Sequence, residues 1–380
     1  MENNSTVKFT DSTLFQSLKL IFFLYLFFLS LDMMGGGMKL FGKEFSKALI
    51  ATTTNPFIGL FIGILATSII QSSSSTTSMV VAMVAGGAFG EDPTLALELS
   101  IPIIMGANIG TSITNTIASL PQIKRSNEFK RAFAAATVHD FFNFLSVIVL
   151  FPLQLATNFL GIAAAEMASI FQGVGGLKFL SPVKAITKPV VKSFQKNLEG
   201  YLGSDTNIVA WIMVGLALLL LFVALKFMVD VLKSMVVEKA KAWFDKYLFK
   251  NSLRAFVVGV VLTFLVQSSS ITTSLIVPMA GAGLLTLRQI FPYTIGSNIG
   301  TTVTAILASL ITGNIAAVTV AFSHLLFNIS GIIVWFPFKE VPIKIAELFA
   351  EYSTRNKLIP VAYVVITFFV IPISFVYFFS

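Results

Sequence analysis

Two runs of hydroxyl and amide side chains recur in this sequence, "QSSSSTTS" at 71–78 and "QSSSITTS" at 267–274, each in apolar surroundings. The oxygens of Ser, Thr and Gln suit a hard cation such as sodium, while their O–H and N–H groups can donate to an oxyanion. One such site can therefore hold both ions. The alternative is helix packing, because hydroxylated residues are enriched where membrane helices meet, but the repetition of the whole run favours a site. The candidate residues are Gln71, Ser72, Ser73, Ser74, Ser75, Thr76, Thr77, Gln267, Ser268, Ser269, Ser270, Thr272 and Thr273.

A second repeated motif, "NIGT", occurs at 108–111 and 298–301. Gly110 and Gly300 can adopt backbone angles closed to other residues, and Asn and Thr can satisfy the backbone groups that an unwound turn leaves free. The motif therefore predicts a break in a helix and a set of sodium ligands. The alternative is a glycine that permits close helix packing. The candidate ligands are Asn108, Thr111, Asn298 and Thr301.

Asp140 is an acidic residue inside an apolar segment, next to His139, and its counterpart in the second half is Leu325, next to His324. A carboxylate that faces a polar cavity could bind an additional cation. The alternative is a structural acid, hydrogen-bonded near the end of a span. We interpret both histidines as hydrogen-bonding residues at helix contacts rather than metal ligands, because no further His or Cys cluster supports a metal.

The composition is that of an integral membrane protein. Of 380 residues, 56% are hydrophobic and 12% charged, and the mean hydropathy is +0.87. Several apolar stretches reach the roughly 20 residues that a helix needs to cross a bilayer. The chain has no cysteine, which excludes thiol chemistry. We attribute the net charge of +8 to orientation in the membrane rather than to nucleic-acid binding.

The two polar motifs recur in the same order, followed in each half by "HDFFN" at 139–143 or "HLLFN" at 324–328, which indicates an internal duplication. We predict a tail at 1–13, a first transmembrane repeat at 14–157, an inter-repeat loop at 158–206, a second repeat at 207–337, and a loop with a last transmembrane helix at 338–380. Spans are predicted at 14–34, 97–120, 132–157, 207–232, 290–311, 316–337 and 358–379. Asp32 and Asp230 lie near span ends, where orientation or capping explains them.

Loop charges indicate that the repeats are inverted. The loop "PQIKRSNEFKR" carries four basic residues and is predicted to be cytoplasmic, whereas its counterpart "TGN" carries none. With this topology, the broken segments 55–90 and 251–287 must be re-entrant. The fold class is then an all-α polytopic membrane protein with two inverted-topology repeats, each with a re-entrant helical hairpin and a broken transmembrane helix. The segment 158–206 is predicted to lie outside the cell. Its lysines recur at nearly helical spacing, which indicates a surface helix along the lipid headgroups; they are Lys178, Lys184, Lys188, Lys192 and Lys196.

No lysine or arginine falls deep inside the broken segments or beside "NIGT". Neutral donors and helix N-termini would hold an anion there, and co-bound cations would offset its charge. Each ion would then strengthen the binding of the other without any chemical step.

Taken together, "QSSSS" with "QSSSI", "GANIGTSITNT" with "GSNIGTTVTA", and "RAFAAATVHDFFN" resemble the type II sodium-phosphate cotransporters. The resemblance covers the chain roughly from the first span to residue 337. It implies import of inorganic phosphate with sodium, in a cell inner (plasma) membrane. Ala134, Ala136 and Asp140 resemble the electrogenic members of the family, which have an additional sodium site.

The resemblance also implies roles for the candidate residues. The phosphate site would comprise Gln71, Ser72, Ser73, Ser74, Gln267, Ser268, Ser269 and Ser270. Sodium would be bound by Ser75, Thr76, Thr77, Asn108, Thr111, Asp140, Thr272, Thr273, Asn298 and Thr301. The expected partners are phosphate, sodium ions and the lipid bilayer, with no cofactor, no other metal and no nucleic acid. The sequence does not define an oligomeric state.

Three other functions can be distinguished from this one. A symporter of another small oxyanion would use the same neutral donors, which read shape and charge only coarsely. An anion channel would show passive flux that does not need sodium. An intramembrane enzyme would need a nucleophile with a base, yet the sequence places neither histidine near the serine runs and contains no "GxSxG" elbow.

Overall fold

The computed structural model describes residues 13–173, 181–202, 206–247 and 251–379. Within these ranges the regular elements are all helices. They are α1 (Thr13–Leu40), α2 (Gly42–Thr53), α3 (Pro56–Ile70), α4 (Ser73–Ala85), α5 (Pro93–Thr111), α6 (Ile113–Ser119), α7 (Ser126–Thr157), α8 (Phe159–Gly173), α9 (Ser181–Leu202), α10 (Thr206–Tyr247), α11 (Ser252–Val266), α12 (Ser269–Ser274), α13 (Ile276–Gly281), α14 (Leu287–Thr312), α15 (Ile315–Trp335), α16 (Glu340–Arg355), α17 (Leu358–Val365) and α18 (Ile371–Phe379), with a 3₁₀ turn at Leu120–Gln122 and a π-helical segment at Ile366–Val370.

Seven helical stretches in the described chain are long and apolar enough to cross a membrane. They are Leu14–Leu40, Pro93–Gln122, Ser126–Thr157, Thr206–Met235, Leu287–Thr312, Ile315–Trp335 and Leu358–Phe379. Each coincides with one of the seven spans predicted from the sequence. The all-α polytopic class is therefore confirmed, and the protein is a multi-pass membrane protein. The inverted relation of the repeats stays a prediction, as do the boundaries of the five predicted segments.

Helices α1 and α10 pack side by side and antiparallel. Phe23 stacks on Phe227 with the ring centroids 5.2 Å apart, and Phe41 meets the edge of Trp211 at 4.8 Å. The later part of α10 therefore lies beside the beginning of α1. Helix α10 also contacts α4 and α11.

Each hydroxyl run forms the turn of a helical hairpin, α3 with α4 in the first half and α11 with α12 in the second. Gln71 and Gln267 end the incoming helices with left-handed φ angles of 56° and 57°. Ser72 and Ser268 then cap the returning helices, each accepting a hydrogen bond from the amide three residues further on, at 3.2 and 3.4 Å. The polar runs therefore interrupt the helices as the sequence predicts.

The "NIGT" motifs, by contrast, remain helical. Helix α5 runs through the first motif and is interrupted only at Ser112, and α14 is continuous across the second. A Cβ atom at Gly110 would lie 2.7 Å from the Thr67 side chain, and one at Gly300 would lie 2.6 Å from Thr263. The glycines therefore permit close packing of α5 on α3 and of α14 on α11. The prediction of an unwound turn is wrong in the second half, and in the first the interruption follows the motif.

Two predicted loops are largely helical. The segment between the repeats contains α8 and α9, and the segment after residue 338 contains α16. Helix α9 packs on α1, where Thr187 donates a hydrogen bond to the Asp32 carboxylate, and Lys184 donates to the backbone oxygen of Thr312. Asp32 thus bonds to a neighbouring helix instead of capping a span end, because α1 continues to Leu40. The predicted tail, except Thr13, and Lys178 lie outside the described residues.

Helix α16 packs against α7. Ile343, Ala346 and Ala350 are buried in this contact, and two ion pairs, Lys130 with Glu351 at 3.1 Å and Arg288 with Glu340 at 2.7 Å, border it. Arg131 donates two hydrogen bonds to the backbone oxygen of Gly281, at 2.9 and 2.6 Å. Arg131 is the last basic residue of the segment predicted to be a cytoplasmic loop, and it therefore joins α7 to α13, which directly follows the second hairpin.

Candidate functional site

The two hairpin turns meet inside the protein. The Ser74 hydroxyl donates a long hydrogen bond to the backbone oxygen of Gln267, at 3.4 Å. Ser73 and Ser269, which open the returning helices, are buried. The structure therefore brings together the two runs that lie in opposite halves of the sequence.

Equivalent hydrogen bonds close the two hairpins. The hydroxyls of Thr67 and Thr76 are 3.0 Å apart, and those of Thr263 and Thr272 are 2.8 Å apart. Each pair joins the end of the incoming helix to the beginning of the returning one. The matched pairs give both turns the same local geometry, with Thr76 and Thr272 at corresponding positions.

A cavity of about 520 Å³ lies between the hairpin turns and α10. Its polar wall in the hairpins includes Ser274 and seven candidate residues, Gln71, Ser72, Ser74, Ser75, Gln267, Ser268 and Ser270. Helix α10 contributes Lys226, Asp230 and Lys233 to the opposite wall. Asp230 is therefore not a capping residue at a span end, because α10 continues beyond it and its side chain faces this cavity.

The two glutamines that end the incoming helices are not equivalent in their side chains. The Gln267 carbonyl oxygen accepts a hydrogen bond from the Thr304 hydroxyl at 2.6 Å, and its amide donates to the backbone oxygen of Phe264 at 2.5 Å. Gln71 is exposed and lines the cavity. One glutamine is fixed against α14, whereas the other is accessible to a ligand.

The remaining candidate residues are buried and do not line this cavity. They are Ser73, Thr76, Thr77, Asn108, Thr111, Asp140, Ser269, Thr272, Thr273, Asn298 and Thr301. In both "NIGT" motifs the threonine hydroxyl donates to the carbonyl four residues earlier, at 2.9 Å for Thr111 and 3.0 Å for Thr301. A hydroxyl that donates in this way keeps lone pairs that a cation can use.

Asp140 is completely buried in α7. Its Oδ2 atom accepts hydrogen bonds from the Thr116 hydroxyl at 3.0 Å and from the Tyr363 hydroxyl at 2.9 Å. Its Oδ1 atom has no hydrogen-bond partner among the described residues. A buried carboxylate oxygen without a partner is costly, and a cation would relieve that cost.

His139 connects the second hairpin with α14. Asn115 of α6 accepts hydrogen bonds through its Oδ1 atom from the hydroxyls of Thr273 at 2.9 Å and Ser274 at 3.0 Å. Its Nδ2 group therefore faces the His139 Nδ1 atom, 3.2 Å away, which must act as the acceptor. On the other side of the ring, Nε2 lies 2.7 Å from the Oδ1 atom of Asn298. These partners select the neutral tautomer with the proton on Nε2.

From Asn298, in the second half of the sequence, the chain of hydrogen bonds returns to residues of the first half. Asn298 donates to the Oδ1 atom of Asn143 at 2.9 Å, and Asn143 donates to the backbone oxygen of Asn108 at 2.8 Å. All members are buried except Ser274, and all bonds run in one direction, from the second hairpin to α5. We call this chain, Thr273 and Ser274 to Asn115, His139, Asn298, Asn143 and Asn108, the polar relay.

The interpretation of His139 as a hydrogen-bonding residue at a helix contact is thus confirmed. His324, by contrast, has an Nδ1 atom with no partner among the described residues. The described residues hold no group of three or more His, Cys, Asp or Glu side chains that could bind a metal.

Sequence reasoning missed several residues of this region, namely Asn115, Thr116, Asn143, Lys226, Lys233, Thr304 and Tyr363. Asn115 and Asn143 stand in quoted motifs, "GANIGTSITNT" and "HDFFN", so their position beside conspicuous residues was an available signal. Tyr363 and the lysines of α10 are far away in sequence and carried no comparable signal.

Sequence comparisons relate this chain to known proteins. A sequence model of the family described as "Na+/Pi-cotransporter" matches residues 26–179 and 220–350. The chain is 36% identical to sodium-dependent phosphate transport protein 2B of Homo sapiens, over 93% of this chain and 64% of the relative. It is 35% identical to protein 2B of Pongo abelii, with the same coverage, and 34% identical to protein 2A of Ovis aries, over 92% of this chain and 65% of the relative.

The chain spans about 64% of the length of the first two of these relatives and 65% of the third, just under two thirds in each case. No solved structure matches the chain.

Proposed function

Since this chain belongs to the Na+/Pi-cotransporter family, we propose that it is a secondary active transporter that imports inorganic phosphate together with sodium. The observation that carries the proposal is the meeting of the two hydroxyl runs, Ser74 to Gln267, on the wall of one cavity. The relatives bear the names of sodium-dependent phosphate transport proteins. The transporter would act in the plasma membrane and would not be an enzyme.

Phosphate would bind between the hairpin turns. The ionised oxygens of phosphate only accept hydrogen bonds, so a site needs several donors. The cavity wall offers the Gln71 amide and the hydroxyls of Ser72, Ser268 and Ser270, and the Ser74 hydroxyl could exchange its long bond to Gln267 for one to phosphate. The unpaired amides in the first turn of α4, where the helix dipole is positive, would add to them. The phosphate site predicted from the sequence also includes Gln267, on the cavity wall, and Ser73 and Ser269, which are buried and would take part only if the hairpin turns rearranged around the ligand.

Sodium would bind at oxygens around this site. Ser75 lines the cavity, and Thr76, Thr77, Thr272 and Thr273 form the buried turns directly behind it. The helices are not unwound at the "NIGT" motifs, so these residues would bind sodium through side-chain oxygens rather than backbone carbonyls. They are Asn108, Thr111, Asn298 and Thr301. Hydroxyl and amide oxygens are ligands that hard cations accept.

Asp140 would bind an additional sodium ion through its unpartnered Oδ1 atom. One more cation per transported phosphate makes the cycle electrogenic, which agrees with the resemblance of Ala134, Ala136 and Asp140 to electrogenic members of the family. The described surroundings of Asp140 supply the hydroxyls of Thr116 and Tyr363 as neutral neighbours. The carboxylate is therefore available to a cation without a competing basic side chain.

Uptake of radiolabelled phosphate into proteoliposomes, with sodium or potassium outside, tests the proposal. Uptake that saturates with phosphate and needs sodium is the expected result. Passive, sodium-independent flux would instead establish an anion channel. Sodium-dependent uptake of another oxyanion, with phosphate unable to compete, would establish a symporter of that oxyanion.

A further inference from the structure

Three ionisable residues of α10 lie on one face of the helix. Lys226, Asp230 and Lys233 are spaced by four and three residues, which places them in one row along the helix. All three line the cavity that also contains Gln71 and Ser270. Ionisable residues inside membrane segments usually face a cavity or a partner, and here the row faces the hairpin turns.

The two lysines are not neutralised within the described part of the chain. Both side chains are exposed, and neither has a carboxylate within 4 Å among the described residues. The Lys226 Nζ atom lies over the ring of Phe227, 5.8 Å from its centroid. Asp230 is exposed as well, so the row carries two positive charges and one negative charge. The cavity therefore has a neutral wall in the hairpins and a cationic wall on α10.

We propose that Lys226 and Lys233 form an electrostatic wall that draws the phosphate dianion into the cavity and retains it beside the hairpin turns, while Asp230 weakens this attraction. The inference rests on the proposed function and adds a second source of charge compensation to the sodium ions. The lysines attract the negative charge of the phosphate across the cavity, whereas the serines and Gln71 donate hydrogen bonds to its oxygens. The wall thus favours the dianion over monovalent anions of similar shape.

A lysine near the end of a span can also serve only to orient the helix or to extend toward the lipid headgroups. The two roles predict different effects of substitution on phosphate affinity. An electrostatic wall predicts that loss of a lysine weakens phosphate binding and that loss of Asp230 strengthens it. A purely orienting role predicts no change in the affinity of correctly inserted protein.

The test uses the purified full chain in detergent, with equilibrium binding of ³²P-labelled inorganic phosphate at constant sodium. Lys226→Gln and Lys233→Gln should each raise the dissociation constant roughly two- to fivefold at low ionic strength, and Asp230→Asn should lower it by a similar factor. The effects should diminish when choline chloride shortens the Debye length to about 8 Å or less. Lys226→Arg keeps the charge and should restore wild-type affinity.

Lys357→Gln provides the matched control, because Lys357 is exposed before α17 and does not line the cavity. It removes the same charge and should leave binding unchanged. Equal affinities for wild type, Lys226→Gln, Lys233→Gln and Asp230→Asn would overturn the inference, and so would weaker binding by Asp230→Asn. Sodium-dependent phosphate uptake by the wild type decides the proposed function separately, since it does not depend on these variants.

Discussion

Asn115 is the residue where a single substitution should disconnect the second hairpin from the rest of the site. It makes three hydrogen bonds, to Thr273, Ser274 and His139. Replacing Asn115 by Leu keeps the number and branching of the side-chain heavy atoms but removes all three hydrogen bonds. Thr273 retains an acceptor in the Ser269 backbone oxygen at 2.6 Å, whereas the buried Nδ1 atom of His139 is left without a donor.

The magnitude follows from these contacts. A hydrogen bond between membrane helices contributes about 0.6 kcal/mol on average, and a buried acceptor without a partner costs about 1–3 kcal/mol. Asn115→Leu should therefore lower the free energy of unfolding by about 2–4 kcal/mol. Ser274→Ala, which removes one bond and leaves Asn115 paired with Thr273, should cost about 0.6 kcal/mol.

Equilibrium unfolding in mixed detergent micelles, followed by circular dichroism, measures both values. The double variant should be no less stable than Asn115→Leu alone, because the serine has then already lost its acceptor. If Asn115→Leu costs no more than Ser274→Ala, the hydrogen bond to the histidine does not contribute and the polar relay is not a stabilising connection.

Three other substitutions test the remaining structure. Ser269→Leu should abolish sodium-dependent phosphate uptake without preventing membrane insertion, because the larger side chain would displace the buried first residue of α12, directly after the hairpin turn; normal uptake would contradict the site. Asp140→Gly should lower the charge moved per phosphate in current recordings combined with tracer uptake, and an unchanged ratio would exclude its role as a sodium ligand. Gly106→Ala should lower the thermal midpoint of the purified protein, since the new Cβ atom would lie 1.9 Å from the backbone oxygen of Leu60, whereas Gly215→Ala, with no atom within 4 Å, should not.

Much of the fold could be predicted because the sequence signals were local. Apolar length predicted all seven candidate spans, and the polar runs predicted the two hairpin turns, since each run interrupts an apolar segment. The "NIGT" motif was ambiguous for a physical reason. Small and polar residues serve an unwound turn and a close helix contact equally well, and only the neighbouring helix decides between them. Gly110 and Gly300 belong to the second case.

The rest of the site depends on elements that are distant in sequence. Nothing near Lys226 shows that its helix lies opposite the hairpin turns, because that position comes from the packing of α10 on α1. Tyr363 reaches Asp140 from a span in the last part of the chain. The sequence showed which side chains could bind ions, whereas their surroundings were determined by tertiary packing.

The left-handed backbone at Gln71 and Gln267 allows the requirement for stability to be separated from the requirement for ligand binding. Glycine would adopt this conformation with less strain than glutamine, so local geometry alone disfavours the residue that is present at both sites. The Gln71→Gly variant should consequently have a free energy of unfolding at least as high as that of the wild type, although it lacks the side-chain amide that faces the cavity. A variant that is more stable but binds phosphate more weakly would show that glutamine is present at position 71 for its side-chain amide, at a cost in backbone strain.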